Sequence, residues 1–567
     1  MRYQVLATDY DGTMAHEGEV HKNTVDGLRR LIASGRRLIL VTGRELEDLL
    51  RVFDHIELFE LVVAENGALL YRPKDQSITP LAERPPDEFA VALRERGVDP
   101  LSVGHIIVAT SEPNETTVLQ TIHDLGLELE IIFNKGAVMV LPLGVNKASG
   151  LAAALHQIGI SPHNSVGVGD AENDHAFLSI CECAVAVDNA LPSLKERCDE
   201  VTDGARGAGV TELIEQLLQD DLSDVRLSRH DVLLGTRAGC DDIRVPPQGT
   251  NVLVAGPSSS GKSTLATGLL ERVAQRGYQV LVIDPEGDYK SFPEAIHLGT
   301  HDRAPTVTEV LDGIEDPTSN VVVSLLGARL EDRPQFLREL LFGLQELRSR
   351  TGRPHRIAID ETHHMLPADS TAGPGPIPQI DGLLMIAPQI GSINADALKT
   401  VDAVLALGDG PEKTLQDFSA AVGVEPPQVE SIELDQDEVL SWWRNEEKPP
   451  FVFRYAPGTA ERRRHIRKYA EGDVGEEASF WFRGPDGTLN LRAQNLQLFM
   501  QLGDGVDDAT WLHHLRQGDY ARWLREDVND EALAAEAQEI QRQFADDPAE
   551  SRKQLRRAIE RRYTVSA

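Results

Sequence analysis

Basic residues, cysteines and long apolar runs are all scarce in this chain. Four cysteines in 567 residues are too few for a disulfide framework. No uninterrupted apolar run approaches the roughly 20 residues that a bilayer-spanning helix needs. The first residues lead straight into a strand-like run and lack the pattern of a signal peptide. We therefore expect a cytoplasmic protein with no membrane partner.

The charge balance is strongly acidic. The chain has 91 aspartates and glutamates but only 56 lysines and arginines, which gives a formal net charge of −35. A surface that binds nucleic-acid phosphates needs a positive field, so the balance disfavours a nucleic-acid partner. It does not exclude a local basic stripe, and Arg462 to Lys468 is the strongest basic run. The length predicts roughly three to four domains.

Polar clusters follow short apolar runs in the first part of the chain. Asp9 and Asp11 come directly after the strand-like run at residues 5–8, and Thr42 follows the run at residues 37–41. In open α/β sheets, ligands bind at the carboxyl ends of the strands. The spacing therefore predicts that these side chains share one edge of a sheet.

Two further polar positions fit the same arrangement. Lys147 opens a helix-like run at residues 148–158. Asp170 and Asp174 lie in GDAEND, directly after the strand-like run at residues 165–168. Because Mg²⁺ prefers oxygen ligands, carboxylates at these strand ends indicate a magnesium site.

The ordered set DYDGT, VTGR, Lys147 and GDAEND resembles the four motifs of the haloacid-dehalogenase (HAD) superfamily of phosphatases. The segments AENGA and NKASGL are similar to its large-cap subgroup, which includes Cof-type and sugar-phosphate phosphatases. The resemblance implies an α/β fold for residues 1–220, with a Rossmann-like core and an α/β cap at about residues 68–143.

The pattern within the cap predicts alternating helices and strands. The expected helices cover residues 87–96 and 115–125. The expected strands cover residues 103–109, 128–133 and 137–141.

The resemblance also implies catalytic roles. Asp9 would be the nucleophile that forms an aspartyl-phosphate, and Asp11 would protonate the leaving alcohol and then activate water. Thr42 and Lys147 would hold the transferring phosphoryl group and offset its charge.

The expected metal site uses the same acids. Asp9 and Asp170, with the backbone carbonyl of Asp11, would bind Mg²⁺. Asp174 and Asn173 would orient this set of ligands.

A phosphate-binding loop begins near the middle of the chain. Residues 256–264 read G-x-x-x-x-G-K-S-T, between a strand-like run at residues 251–255 and a helix-like run at residues 265–273. Backbone N–H groups and a helix N-terminus suit an anion there. Lys262 would reach the terminal phosphates of ATP, and the Ser263 hydroxyl would face Mg²⁺. The nucleotide-binding set is Gly256, Ser260, Gly261, Lys262, Ser263, Thr264 and Asp360.

A second nucleotide signature lies about a hundred residues later. The apolar run at residues 356–359 ends in Asp360 and Glu361. Asp360 would bind Mg²⁺ through water, and Glu361 would polarise the attacking water. The segments DPEGDY and IDETHHMLP resemble the HerA/FtsK-like ATPases. This implies an α/β P-loop NTPase domain at residues 228–457, whose last sheet strand we expect at residues 401–408.

Members of that ATPase family often act as ring hexamers on DNA. The resemblance therefore leaves a homo-oligomer open, while the acidity of the chain argues against DNA translocation. Residues 458–567 show no catalytic constellation and carry charged amphipathic runs at residues 531–544 and 549–562. They predict a mostly helical accessory domain.

These observations predict a Mg²⁺-dependent phosphatase for a small phosphorylated metabolite, such as a sugar phosphate, coupled to an ATP-hydrolysing domain. One alternative is a nucleic-acid-acting HerA-like ATPase with phosphatase end-processing. Another is a bifunctional kinase and phosphatase, although the Asp-Glu pair favours water activation over transfer to a substrate.

Overall fold

A computed structural model describes residues 1–563, with the exception of residues 135, 238, 240, 258–259, 369–377, 379, 445–447, 459–478, 486, 488 and 529. One compact unit comprises Met1–Lys290 and Glu294–Ala456, and a second comprises Ser291–Pro293 and Pro457–Ala567. The basic run at residues 462–468 lies outside the described residues. The domain limits at residues 220, 228 and 457 stay predictions.

The first part of the chain alternates strands and helices. Its strands are β1 (Val5–Asp9), β2 (Arg37–Val41), β3 (Leu61–Ala64), β4 (Leu69–Arg72), β5 (Ser77–Pro80), β6 (Leu101–Val103), β7 (Val108–Ser111), β8 (Leu129–Asn134), β9 (Ala137–Pro142), β10 (Ser165–Gly169), β11 (Cys183–Ala186) and β12 (Glu200–Val201). Its helices are α1 (Lys22–Ala33), α2 (Leu46–Val52), α3 (Asp87–Glu95), α4 (Glu115–Leu125), α5 (Lys147–Gln157), α6 (Asp174–Ile180), α7 (Pro192–Lys195) and α8 (Gly207–Asp220).

The first sheet has the order β12-β11-β10-β1-β2-β3-β4-β5. Strands β12 to β3 run parallel to their neighbours, and β4 and β5 continue the sheet antiparallel. The five residues of β1 are all buried, as expected for a parallel strand covered on both faces. Because β10, β1 and β2 are parallel neighbours, their carboxyl ends meet at one edge of the sheet.

The inserted cap forms its own antiparallel sheet in the order β6-β7-β9-β8, with α3 and α4 in the same segment. The structure confirms the expected helices and the hairpin of β8 and β9, each within about one residue. The single strand expected at residues 103–109 is wrong. The chain turns back between β6 and β7 so that Val103 pairs with Val108. The turn forms because backbone N–H groups in it bind the Glu65 carboxylate rather than a neighbouring strand.

The middle of the chain builds a second sheet. Its strands are β13 (Val232–Arg237), β14 (Asp241–Val245), β15 (Val252–Ala255), β16 (Val280–Asp284), β17 (Ala295–Leu298), β18 (Asn320–Ser324), β19 (Arg356–Ile359), β20 (Leu383–Ala387), β21 (Ala403–Ala406), β22 (Glu438–Trp443) and β23 (Phe451–Tyr455). Its helices are α9 (Lys262–Gln275), α10 (Val307–Ile314), α11 (Arg333–Thr351), α12 (Thr362–Met365), α13 (Ala395–Lys399) and α14 (Pro411–Val422).

The second sheet has the order β14-β13-β23-β22-β21-β15-β20-β19-β16-β18-β17. The strands from β21 to β17 are parallel, with β15 between β20 and β21. The expectation that the strand at residues 401–408 is the last of the sheet is wrong. Strands β22 and β23 extend the sheet antiparallel beyond β21. Both strands have buried apolar residues that hold them to the sheet, such as Val439 and Leu440 in β22 and Phe453 in β23.

The second unit is mostly helical, as predicted. A short antiparallel pair, β24 (Phe480–Phe482) and β25 (Leu491–Ala493), precedes the helices. The helices cover Leu496–Gly505, Asp508–Gln517, Asp519–Glu526, Glu531–Gln543 and Pro548–Tyr563. Aromatic side chains such as Phe499, Trp511 and Tyr520 fill its core. Within the described ranges, no helix is both long enough and apolar enough to cross a membrane.

Candidate functional site

Three buried carboxylates converge at the carboxyl edge of the first sheet. Asp9 ends β1, Asp170 follows β10, and Asp174 begins α6. Each offers one oxygen, and these oxygens all lie within 4.8 Å of one another. Like charges this close are unfavourable unless a cation shares the site. The predicted acids are therefore brought together in an arrangement that calls for positive charge.

Lys147 supplies part of that charge. Its Nζ donates to Asp9 Oδ1 and to Asp174 Oδ1, each at 2.6 Å. Asn146 and Ser149 form a capping box at the start of α5, which fixes the first turn that carries Lys147.

Asp174 has both carboxylate oxygens engaged. Its Oδ1 accepts from Lys147, and its Oδ2 accepts from the backbone N–H groups of Asp170 at 2.8 Å and Ala171 at 2.9 Å. A carboxylate held in this way orients the loop after β10. Asp9 and Asp170 share a different neighbour, because the Thr13 hydroxyl lies 3.3 Å from Asp9 Oδ2 and 3.1 Å from Asp170 Oδ1. Sequence reasoning missed Thr13, although it is part of DYDGT.

The electrostatics of this cluster follow from its burial. Burial raises the pKa of Asp9 to about 7, the charge of Asp174 adds to this, and Lys147 opposes it. Burial lowers the pKa of Lys147, but the charges of Asp174 and Asp9 outweigh it and the pKa is raised. Lys147 is therefore cationic, and the three acids exceed its single charge. An oxygen-rich acidic donor set of this kind fits Mg²⁺.

Asp11 and Thr42 lie beside the cluster and are joined by Arg44. The Arg44 guanidinium donates to both Asp11 oxygens, at 2.6 and 2.7 Å, and to Asp48 at 2.5 Å. The buried Thr42 hydroxyl accepts from the Arg44 backbone N–H at 3.1 Å. Sequence reasoning missed Arg44 as a partner of Asp11, although the VTGR motif contains it.

The cap approaches the same edge of the sheet. A β-carbon at Gly43 would lie 3.5 Å from the Sδ of Met139, a residue of β9. Asn173 donates to Asn66 Oδ1 at 3.0 Å. The buried Asn173 Oδ1 has no hydrogen-bond partner among the described residues. The region above Gly43 is therefore bounded by cap and core together.

The phosphate-binding loop lies at the carboxyl end of β15. A β-carbon at Gly256 would lie 2.3 Å from the Leu407 carbonyl oxygen, and one at Gly261 would lie 2.4 Å from the Tyr455 hydroxyl. Only glycine fits at these two positions. The Ser260 hydroxyl oxygen is buried and lacks a partner within the described part of the chain. A cradle of this shape with an unsatisfied hydroxyl fits a nucleotide phosphate. Ser258 and Ser259 lie outside the described residues.

Lys262 begins α9, followed by Ser263 and Thr264 in the first turn. The Lys262 Nζ donates to the carbonyl oxygens of Gly256 at 2.7 Å and Pro257 at 2.6 Å. Its ammonium group thus lies folded over the loop. Burial lowers the pKa of Lys262, although the negative charges of Glu361 and Asp360 act to raise it.

Asp360 and Glu361 follow β19, two strands away from the loop in the same sheet. Burial raises the pKa of Asp360 to about 7, and the charge of Glu361 adds to this. Glu361 has a left-handed backbone conformation with φ of 44°, which is costly for a non-glycine residue. Burial also raises the pKa of Glu361. His363 Nδ1 lies 3.3 Å from Glu361 Oε2.

A buried polar cluster joins the two sheets, and we call it the junction: Arg2, His163, Asn164, Glu182, Gln248, Tyr278 and His355. The Tyr278 hydroxyl donates to Glu182 at 2.5 Å, and its ring stacks on His163 with centroids 3.6 Å apart. Arg2 and Gln248 each donate to the other Glu182 oxygen at 2.6 Å. Burial alone raises the pKa of Glu182. The His163 hydrogen bond and the Arg2 charge outweigh it and hold the pKa well below its usual range.

The junction lies at the amino ends of the strands in both sheets. Glu182 directly precedes β11, and Tyr278 lies just before β16. His355 directly precedes β19, and its ring Nε2 lies 3.2 Å from Oδ1 of Asn164, which precedes β10. The Asp9 cluster and the nucleotide loop both lie at carboxyl ends. Each candidate site is therefore at the end of its sheet that faces away from the junction.

Known proteins resemble the two parts separately. The profile of the haloacid dehalogenase-like hydrolases matches residues 6–116 and 99–214. The profile of the helicase HerA central domain matches residues 250–328. A phosphoglycolate phosphatase of Methanothermobacter thermautotrophicus is 30% identical over 224 residues, which is 38% of this chain and 99% of the relative. Phosphoglycolate phosphatase 2 of Saccharolobus solfataricus is 26% identical over 219 residues, 38% of this chain and 92% of the relative.

Solved structures resemble a part of the chain. A haloacid dehalogenase-like hydrolase from Bacteroides thetaiotaomicron has a TM-score of 0.33 and 19% identity, and covers 38% of this chain and 99% of its own. The sucrose-phosphatase of a Synechocystis species has a TM-score of 0.31 and 18% identity, and covers 38% and 98%.

The archaeal relative at 30% identity is matched almost from end to end, and the family profile spans the Asp9 cluster. The chain belongs to the haloacid dehalogenase-like hydrolase family, and its phosphatase-type hydrolase domain is followed by a HerA-like ATPase domain.

Proposed function

We propose that the first domain hydrolyses a small phosphorylated metabolite through an aspartyl-phosphate on Asp9. The observation that carries this proposal is the buried cluster in which Lys147 bridges Asp9 and Asp174 at 2.6 Å, with Asp170 alongside. The relatives are named phosphoglycolate phosphatases, which supports a small phosphorylated acid as the substrate. A sugar phosphate is the second candidate in the same class.

The acids of the cluster would hold Mg²⁺. Asp9, Asp170 and the backbone carbonyl of Asp11 would be its ligands, and Asp174 would orient them because both of its oxygens are engaged. Bound Mg²⁺ supplies positive charge that lets an anionic carboxylate approach an anionic phosphate.

The remaining steps belong to side chains of this protein. Asp9 attacks phosphorus, and Asp11 protonates the departing alcohol oxygen and then takes a proton from the water that cleaves the acyl phosphate. In the structure Arg44 donates to both Asp11 oxygens and so favours the ionised carboxylate, and Asp11 would leave this ion pair before it donates a proton. Thr42 and Lys147 bind oxygens of the transferring phosphoryl group.

The second domain would bind and hydrolyse ATP. The cradle formed by Gly256 and Gly261 and the unsatisfied Ser260 hydroxyl support phosphate binding there. Lys262 would turn from the loop carbonyls toward the terminal phosphates. Ser263 and Thr264 at the helix start, with Asp360 across the sheet, would hold nucleotide and Mg²⁺, and Glu361 would polarise the attacking water.

We also propose that ATP regulates the phosphatase rather than supplying its substrate. Because each site is at the sheet end facing away from the junction, a phosphoryl group cannot pass directly from the loop at Lys262 to Asp9 within one chain. This argues against a kinase that feeds its own phosphatase. The junction around Glu182 would carry the effect of ATP to the phosphatase, because strands of both sheets begin beside it.

A screen of metabolite phosphates, with and without ATP, tests these proposals. We expect phosphate release from at least one small phosphorylated acid or sugar, and loss of that release in Asp9→Asn. Release that survives Asp9→Asn would contradict the assignment of the nucleophile. Three points stay predictions: that the protein is cytoplasmic, that its acidity disfavours a nucleic-acid partner, and that a homo-oligomer is open.

A further inference from the structure

Glu65 is fully buried, and its carboxylate binds backbone N–H groups of the cap. It follows β3, which is two strands from β1 and its terminal Asp9 in the first sheet. Its Oε1 accepts from the N–H of His105 at 2.8 Å, and its Oε2 accepts from the N–H groups of Ile106 at 2.7 Å and Ile107 at 2.9 Å. All three donors lie in the turn between β6 and β7 of the cap.

The cap turn is shaped around this carboxylate. Successive backbone N–H groups that point inward form an anion-binding concavity, and residues 105–107 provide one. A β-carbon at Gly104 would lie 2.6 Å from Glu65 Oε1. Any larger residue at position 104 would therefore push the carboxylate out of the turn.

Further contacts hold the same turn against the core. His105 Nε2 lies 2.7 Å from Oε1 of Glu47, a residue of α2. A small apolar cluster closes the cap-core contact beneath the turn: Ala68, Ile106, Ile107, Met139, Leu141 and Val145. Met139 is also the cap residue that faces Gly43. The contact between Glu65 and the turn therefore fixes the position of Met139 above the carboxyl edge of the first sheet.

We infer that Glu65 is a positioning residue for the phosphatase reaction, a latch that fixes the cap over the Asp9 cluster and so defines the space left for the alcohol that departs. This inference rests on the proposed phosphatase function. Glu65 touches neither substrate nor metal in this role; it acts through the cap turn and Met139. Loosening the latch makes the space above Gly43 larger and less fixed.

The test compares Glu65→Gln with Glu95→Gln, an exposed acid on the cap helix α3. Glutamine keeps the size of the side chain but turns an N–H₂ group toward backbone donors. The first measurement is hydrogen exchange at the amides of residues 105–107. We expect exchange at least tenfold faster in Glu65→Gln and unchanged in Glu95→Gln.

The second measurement is kcat/KM for two general phosphatase probes, β-glycerophosphate with a small leaving alcohol and p-nitrophenyl phosphate with a bulky one. Because misplacement by about an ångström costs up to about a hundredfold, we expect at least a tenfold loss with β-glycerophosphate in Glu65→Gln and less than a twofold loss with p-nitrophenyl phosphate. Equal losses with both probes would mean a merely structural role and would overturn the inference.

Failure of the latch and failure of the proposed function are distinguishable. Unchanged amide exchange in Glu65→Gln overturns the latch whatever the activity. If the unmodified protein releases phosphate from neither probe nor from any metabolite of the screen, the phosphatase proposal and the positioning role of Glu65 in that reaction fall together. Faster exchange then still identifies Glu65 as the cap anchor.

Discussion

Lys147 and Asp9 form a buried ion pair, with Nζ 2.6 Å from Oδ1 and both side chains almost inaccessible to solvent. The same ammonium contacts Asp174 at the same distance. A lysine carries one positive charge, and this lysine contacts two acids of a cluster of three, so the cluster keeps an excess of negative charge. A divalent cation would offset this excess and so allow an anionic phosphate ester to bind beside the acids.

Replacing this lysine tests the arrangement. We expect Lys147→Met to lower kcat/KM about 10²- to 10³-fold, the usual effect of removing one group that stabilises transition-state charge. Initial rates on the substrate found in the metabolite screen, together with the thermal midpoint, measure this. Lys195→Met is the matched control, since Lys195 pairs with Asp188 at the surface. Activity within threefold of the unmodified protein would contradict the role of Lys147.

The nucleotide loop gives a second prediction. We expect Lys262→Ala to weaken binding of a non-hydrolysable ATP analogue at least tenfold, because Lys262 is the cation that the cradle offers to the terminal phosphates. Titration calorimetry measures this directly, without any turnover. Lys399→Ala serves as control, since the exposed Lys399 side chain pairs with the exposed Asp396 side chain on α13. Unchanged affinity in Lys262→Ala would mean that the loop does not bind nucleotide in the expected way.

The grouping of the candidate site residues at the sheet edges was predictable from sequence for a physical reason. Asp9, Thr42 and Asp170 directly follow apolar runs, and parallel strands bring their carboxyl ends together. Asp360 was predicted by the same reasoning, whereas Lys262 was predicted from the G-x-x-x-x-G-K-S-T pattern. Side chains that point from a strand end into a site leave a signal that is local in the sequence.

The contacts that fix the cap and the junction could not be predicted in the same way. The partners of Glu65 are backbone N–H groups, which every residue except proline possesses, so they leave no pattern of residue types. Glu182 and Tyr278 are 96 residues apart and precede strands of different sheets. Strand β23 was also missed, because its aromatic residues indicate burial but not the sheet that buries them.

The junction predicts communication between the two sites. Tyr278→Phe removes one hydroxyl that binds Glu182 and keeps the ring that stacks on His163. We expect the ATP analogue to change kcat/KM of the phosphatase several-fold in the unmodified protein and by less than half of that factor in Tyr278→Phe. Tyr71→Phe, a buried tyrosine of β4, is the control. Equal ATP effects in all three proteins would show that the Tyr278 hydroxyl does not couple the sites.

Glu182 predicts a pH dependence of stability. Its pKa is held well below the usual range in the folded protein, chiefly because the His163 hydrogen bond and the Arg2 charge outweigh the effect of burial. A glutamate in the unfolded chain has a pKa of about 4.3. The stabilisation by ionised Glu182 is therefore complete above pH of about 4.3. It declines as the pH falls below that value, by up to about 1.4 kcal/mol per pH unit.

We expect Glu182→Gln to destabilise the protein by roughly 3–5 kcal/mol near pH 7, because Arg2 and His163 lose a buried charged partner. The difference from the unmodified protein should narrow steadily between about pH 4.3 and pH 3. Chemical unfolding followed by circular dichroism at several pH values measures it. Glu215→Gln is the control, since Glu215 pairs with Arg30 at the surface. A difference that stays constant down to pH 3 would mean that folding does not lower the pKa of Glu182.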